Sequence, residues 1–82
     1  MIKIYSTSWC PSCTAAKQLL ASKGLEYKEI NIEEIGMSRE ELGQLTGGMT
    51  VPQIVINENN IGGFDKLIVL NQSGDLEKML NA

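Results

Sequence analysis

The stretch "IKIYSTSWCPSCTAAKQLLASKG", residues 2–24, changes its hydrophobic period once, close to the only two cysteines of the chain. Residues 2–5 alternate apolar and polar, the period-two pattern of a half-buried strand. From Pro11 the pattern is helical, and proline suits a first helical position because its missing N–H would have no partner there anyway. Cys13, Ala16 and Leu20 then fall on one face with Leu19 beside them, and Gly24 supplies the C-terminal stop. "EYKEINI" (26–32) alternates again, with Tyr27, Ile30 and Ile32 as its buried positions. Two strands joined by a helix of this length form a parallel β-α-β unit with a right-handed crossover. The cysteines therefore stand at the junction of the first strand and the first helix.

Further along, "GMSREELGQLTGG" (36–48) opens a second helix. Ser38 and Glu41 have capping-box spacing, Met37 and Leu42 occupy the two staple positions around it, and Gly47-Gly48 ends it. "QIVI" (53–56) reads as a short strand, "NENN" (57–60) as a polar turn, and a brief strand near Ile61 completes a hairpin. From Asp65 the pattern is helical through Leu67, Ile68 and Asn71. Gly74-Asp75 interrupts it before Leu76, Met79 and Leu80 form a final short helix. The order is β-α-β-α-β-β-α, a small α/β domain over residues 1–82 with a four-stranded mixed sheet flanked by helices.

Composition narrows the function. At 82 residues and 43% hydrophobic content the chain is one domain with a modest core. A net charge of −3 without a basic run argues against nucleic acid or an anionic membrane as partner. No apolar run reaches membrane-spanning length, and residues 1–9 lack the basic-then-apolar form of a signal peptide. The expected setting is the cytoplasm, where a lone C-x-x-C points to redox or metal chemistry rather than a permanent crosslink. Histidine is absent, which removes imidazole base catalysis and the commonest metal ligand.

A structural zinc site needs four ligands, and two thiolates do not complete one. A static staple closing so short a loop restrains little unfolded-chain entropy. A reversible dithiol accounts for more. Residues i and i+3 at a helix start lie about 5–6 Å apart at Cα, which suits a disulfide. Cys10 faces the unpaired amides and the positive end of the helix dipole, which favour thiolate and lower a cysteine pKa to about 3.5–7.5. Cys13, one turn in and on the core stripe, is the more shielded thiol. The asymmetry makes Cys10 the group that attacks a disulfide and Cys13 the group that resolves the intermediate.

Three segments in order, "CPSC" (10–13), "TVPQIVI" (50–56) and "IGGFDKL" (61–67), make the chain similar to the glutaredoxins of the thioredoxin-fold superfamily, nearly end to end. The resemblance implies a thioredoxin-like fold with sheet order β2-β1-β3-β4 and a cis bond at Pro52. It also implies a glutathione site at Thr50, Val51, Pro52, Gly63, Phe64 and Asp65, bordered by Trp9 and Ser12. There an extended peptide pairs with Val51 as an added strand. Gly62 and Gly63 allow close backbone approach, and the amides of the helix opened by Phe64 and Asp65 hold the α-carboxylate of glutathione. Asp65 accepts its ammonium. Taken alone, Pro52 reads equally as a trans proline opening a strand, and Gly-Gly-Phe-Asp as a turn with an N-cap. Trp9 has two readings as well, a groove wall beside Cys10 or packing at the strand-to-helix corner.

By the same resemblance the chain is a monomeric dithiol-disulfide oxidoreductase without a permanently bound cofactor or metal. It would reduce protein disulfides and glutathione mixed disulfides, with glutathione as reductant and ribonucleotide reductase as a common family partner. Two alternatives stand beside this: recharging by a thioredoxin-reductase-type flavoprotein, and a dimer holding a [2Fe–2S] cluster between two Cys10 thiolates and two glutathiones. Pro11 argues against the cluster, because cluster-binding relatives usually have Gly or Ser there. Departures from the family pattern bear on the reductant. Thr7 stands where many members have lysine, Gly48 where many have Arg or Gln, and Ser12 where an aromatic is usual. Lys17 is the candidate substitute cation for the glycine carboxylate of glutathione.

Overall fold

A computed structural model describes residues 1–81; Ala82, the last residue of the expected domain, lies outside the described residues. The elements are β1 (Ile2–Ser6), α1 (Pro11–Ser22), β2 (Lys28–Asn31), α2 (Arg39–Thr46), β3 (Gln53–Ile56), β4 (Asn59–Gly62), α3 (Phe64–Ser73) and α4 (Asp75–Leu80). The sheet order is β2-β1-β3-β4, and the Val51–Pro52 bond is cis, as the glutaredoxin resemblance implies. β1 pairs parallel to β2, while β3 pairs antiparallel to both β1 and β4.

The alternation in β1 sorts its side chains to the two faces of the sheet. Ile2 and Ile4, opposite Ile56 and Ile54, pack with Ala16 and Leu20 of α1, Leu67 of α3 and Leu76 of α4. Tyr5 points the other way, into a smaller cluster with Ile32 and Leu42. Each fully buried Ile or Leu contributes about 1.5–3 kcal/mol. With eight buried residues in the first cluster against three in the second, the face covered by α1, α3 and α4 carries most of the stability. The second face rests on α2, whose Ser38–Glu41 capping box is fully formed and whose staple residue Met37 packs on the Leu42 cluster.

Two boundaries differ from the sequence pattern. β2 covers only Lys28–Asn31, leaving Tyr27 half-buried before it and Ile32 buried after it. The strand stops because the Asn31 carboxamide accepts the amides of Glu33 and Glu34 at 2.9 and 3.3 Å, an Asx turn that competes with the ladder. Ile32 still donates its amide to the Ser6 carbonyl at 2.8 Å before the chain leaves the sheet. In the hairpin the turn narrows to Asn57-Glu58, so Asn59 and Asn60 join β4. Asn57 sets that turn. Its side chain accepts from the Met1 ammonium and donates to the Met79 carbonyl at 2.7 Å, and its backbone amide reaches the Met1 carbonyl at 2.9 Å.

Both turn residues lie in the left-handed region, with φ of 48° at Asn57 and 72° at Glu58. That is the geometry of a two-residue primed turn, which asparagine tolerates and which glycine prefers at the second position. Left-handed backbone costs a side-chain-bearing residue about 1–2 kcal/mol, partly offset on substitution by the extra freedom glycine gives the unfolded chain. Glu58→Gly is expected to raise stability in urea denaturation by about 0.5–1 kcal/mol. A fall in the midpoint would mean that the glutamate side chain contributes more than the turn conformation costs.

Candidate active site

Cys10 is the N-cap of α1, extended at φ −154° and ψ 93°, and its sulfur accepts the Cys13 amide at 3.0 Å. Its carbonyl accepts the Thr14 amide at 3.1 Å. The two cysteines are joined as a disulfide with a Cα separation of 5.1 Å, inside the span expected of i and i+3 at a helix start. Cys13 is 2% exposed and packed on the core stripe, whereas Cys10 is half-buried. The more accessible sulfur is thus the one that faces the unpaired amides.

The helix carrying the pair is tied to the sheet by one carboxylate. Glu29 of β2 accepts from Lys17 of α1 at 2.9 Å and from the buried Ser6 hydroxyl at the end of β1 at 2.8 Å. Chiefly the Lys17 hydrogen bond, then that from Ser6, holds the Glu29 carboxyl below its usual range, with burial opposing. Lys17 is therefore engaged by Glu29 and does not stand free for a glutathione carboxylate. Between β1 and α1, the Ser8 amide donates to Glu33 at 2.7 Å and its hydroxyl accepts from Asn31 at 3.2 Å. Trp9 is 87% exposed, so it does not pack at the strand-to-helix corner.

Facing the helix start is a hollow of about 320 Å³ lined by Ser12, Thr50, Val51, Pro52, Gly63, Phe64, Asp65 and Ile68. It joins Ser12 and the six residues expected to bind glutathione, whereas Cys10, Cys13 and Trp9 do not line it. Ile68 was the addition; its signal was helical spacing, one turn beyond Phe64 on the same face. A Cβ on Gly63 would stand 3.7 Å from the Pro52 carbonyl, an ordinary contact, and 3.2 Å from the Asp65 carboxylate, so the α3 start and the proline loop lie side by side there. Gly63 is the N-cap of α3 and offers no side-chain cap, leaving the first amides of that helix to an outside acceptor. A larger hollow of about 400 Å³, lined by Met1, Lys3, Val55, Asn57 and Glu58, shares none of these residues.

The absence of a long side chain at position 48 has a local cause. A Cβ there would stand 2.6 Å from the Gln53 amide nitrogen. Gln53 is buried and donates that nitrogen to the Thr50 carbonyl at 2.8 Å, fixing the segment just before the cis proline. Its place beside Gly48 is already taken.

A half-exposed sulfur on helix amides, a buried partner one turn on and a cis-proline loop opposite define a thiol-disulfide oxidoreductase of thioredoxin-like fold. The family pattern of Glutaredoxin matches residues 2–61. A glutaredoxin of Pseudomonas aeruginosa is 44% identical over 81 residues, spanning 99% of this chain and 96% of that protein. Glutaredoxin 3 of Escherichia coli K12 is 42% identical over 79 residues, spanning 96% and 95% of the two chains. Among solved structures, a buckwheat glutaredoxin–glutathione complex superposes with a TM-score of 0.87 at 28% identity, covering 98% of this chain and 76% of that one. The chain belongs to the glutaredoxin family.

The Glu29 network makes a pH prediction. A carboxyl whose folded pKa is lowered adds stability above its unfolded value, 4.5, and loses it as pH falls through the folded value. Because both partners are partly solvated, the ion pair is worth at most about 1 kcal/mol. Glu29→Gln is expected to lower the urea midpoint at pH 7 and to converge with the parent protein below pH 4.5. A gap that persisted in acid would assign the loss to packing instead.

Proposed function

We propose that this protein is a glutathione-dependent dithiol-disulfide oxidoreductase that reduces protein disulfides and glutathione mixed disulfides. The observation that carries this reading is the hollow itself. It sets the Val51 backbone edge between the cysteine-bearing helix start, represented by Ser12, and the uncapped start of α3. An extended cysteine peptide pairing with Val51 would bring its sulfur toward Cys10 and one carboxylate to the α3 amides. That a related protein has been crystallised as a glutathione complex supports the ligand class.

In the reduced protein the Cys10 thiolate attacks one sulfur of a disulfide R–S–S–R′. A Cys10–S–S–R bond forms, the substrate bond breaks, and R′S⁻ leaves to take a proton from solvent. The Cys13 thiolate then attacks the Cys10 sulfur, releasing RS⁻ and closing the Cys10–Cys13 disulfide. Two glutathione molecules, oxidised together to glutathione disulfide, return both cysteines to thiols. The Cys13 amide, 3.0 Å from the Cys10 sulfur, supports its negative charge whenever Cys10 is attacking or leaving.

Cys10→Ser is expected to abolish both activities. Cys13→Ser should lose protein-disulfide reduction yet keep deglutathionylation, because external glutathione resolves the mixed disulfide. A folded Cys13→Ser protein inactive in both assays would overturn the roles. NADPH-coupled assays with glutathione plus glutathione reductase, against thioredoxin reductase alone, test the electron donor. Turnover only with the latter would replace glutathione by a flavoprotein.

Thr7 and Gly48 leave the glycine carboxylate of glutathione with little charge assistance, and a restoring arginine at position 48 would have to displace the buried Gln53 carboxamide. Position 7 is half-buried at the start of the loop before Cys10. Thr7→Lys should lower the glutathione requirement by roughly tenfold at low ionic strength, the worth of one charge-assisted hydrogen bond. Salt should blunt the gain. An unchanged requirement at low salt would show that another group already holds the carboxylate.

A further inference from the structure

Two of the segments beside the cleft lie outside helices and strands. Residues 7–9 precede Cys10 and residues 47–52 lead into the cis proline. Both are held from one piece of chain. From the end of β2 and the turn after it, Asn31 donates to the Ser8 hydroxyl at 3.2 Å and Glu33 accepts the Ser8 amide at 2.7 Å. From the first position of α2, Arg39 donates to the Met49 carbonyl at 3.0 Å. Ser8 lies two residues before Cys10, and Met49 lies two residues before Val51. Among the described residues, the hydrogen bonds that leave residues 7–9 for another segment all go to Asn31 and Glu33.

The intervening chain is stiff enough to act as a spacer. Asn31 caps the amides of Glu33 and Glu34, Met37 donates to the Ile32 carbonyl at 2.9 Å, and Ile32 is buried in the smaller core cluster. At its far end the Ser38–Glu41 capping box fixes where α2 begins and so where Arg39 departs. The Glu33 carboxyl is held below its usual range mainly by the Ser8 amide, then the Ser8 hydroxyl, with a smaller contribution from the Arg39 charge.

The geometry points to residues 31–39 as a spacer that sets the gap between the Cys10 sulfur and the Val51 backbone edge. Glu33 positions the sulfur, and Arg39 positions the edge that receives the substrate. Neither is a catalytic residue; each acts through the loop it holds.

The two ends give separable readouts. Alkylation rate against pH, measured in a Cys13→Ser background, reports the surroundings of the Cys10 sulfur and needs no substrate. Glu33→Ala should slow alkylation at neutral pH about tenfold and move the inflection upward, the effect of one displaced hydrogen bond. Glu33→Gln keeps a carbonyl acceptor at the same place and should stay within about twofold of the parent. Losing the carboxylate charge is common to both variants and by itself favours the thiolate, so a slow alanine variant beside a normal glutamine one isolates position from charge. Arg39→Ala should leave alkylation unchanged and raise KM for a glutathione mixed disulfide about tenfold, with Arg39→Lys recovering part of the loss.

The KM arm rests on the glutathione reading of the preceding section, whereas the alkylation arm does not. Equal alkylation by Glu33→Ala and Glu33→Gln, or an Arg39→Ala protein with unchanged KM, would overturn the inference. So would variants that shift only the urea midpoint. A parent protein that turned over no glutathione mixed disulfide would fail the functional reading first, and the alkylation pair would still decide the role of Glu33.

Discussion

A helix cannot begin without leaving amides that lack an intrahelical partner, and in this protein a sulfur stands at that place. The Cys10 sulfur accepts the Cys13 amide at 3.0 Å, at the position where Ser, Thr or Asp usually places an oxygen. Much else follows from that contact. Pro11 after it gives up no needed donor, Cys13 must then face inward, and the reactive sulfur is left at the rim. Without histidine in the chain, activation of the nucleophile falls to backbone dipoles. These do not titrate, so on the proposed mechanism any group that moves the helix start also moves the chemistry.

The cleft is completed by the same device used a second time. The start of α3 carries no side-chain cap, and its first amides open toward the hollow beside Val51. One helix start thus carries the Cys10 sulfur and the other opens uncapped toward the hollow, with an extended backbone edge between them. A cysteine peptide bearing a carboxylate matches that layout better than an apolar ligand would. The side of the cleft toward positions 7 and 48 is less well supplied. Gln53 occupies the volume beside Gly48 and uses its amide on the Thr50 carbonyl, so order in the proline loop takes the place of direct charge there.

Elements governed by periodicity were legible from the chain alone. The Cys13–Ala16–Leu20 stripe, the Ser38–Glu41 box and the Gly74 break each have a local cause, and each appears as read. Strand order and the cis proline came from likeness to known proteins, because periodicity carries no information about which strands are neighbours. What stayed hidden were choices made between segments distant in sequence. Lys17 looked free until β2 brought Glu29 beside it, and the hairpin turn looked longer until the chain start and the Met79 carbonyl claimed Asn57. Trp9 was ambiguous for the same reason. Whether an aromatic beside a turn packs or projects depends on what the turn is tied to, and here Asn31 and Glu33 hold that turn by its neighbour Ser8.

The unequal division of the core gives these polar ties their importance. α1, α3 and α4 press on one face of the sheet through a cluster large enough to hold its own geometry, whereas α2 covers the other with few buried residues. Ile32 belongs to that smaller cluster, and its amide bonds the carbonyl of Ser6, the last residue of β1 before the redox loop. Immediately after Ile32 comes Glu33, which holds Ser8. A single buried side chain therefore seats the carboxylate that restrains the approach to Cys10. If Glu33 positions Cys10 as proposed, substitutions at Ile32 or Leu42, which thin the lesser core, are expected to act on reactivity sooner than equal losses from the larger cluster, where α1 keeps several other anchors.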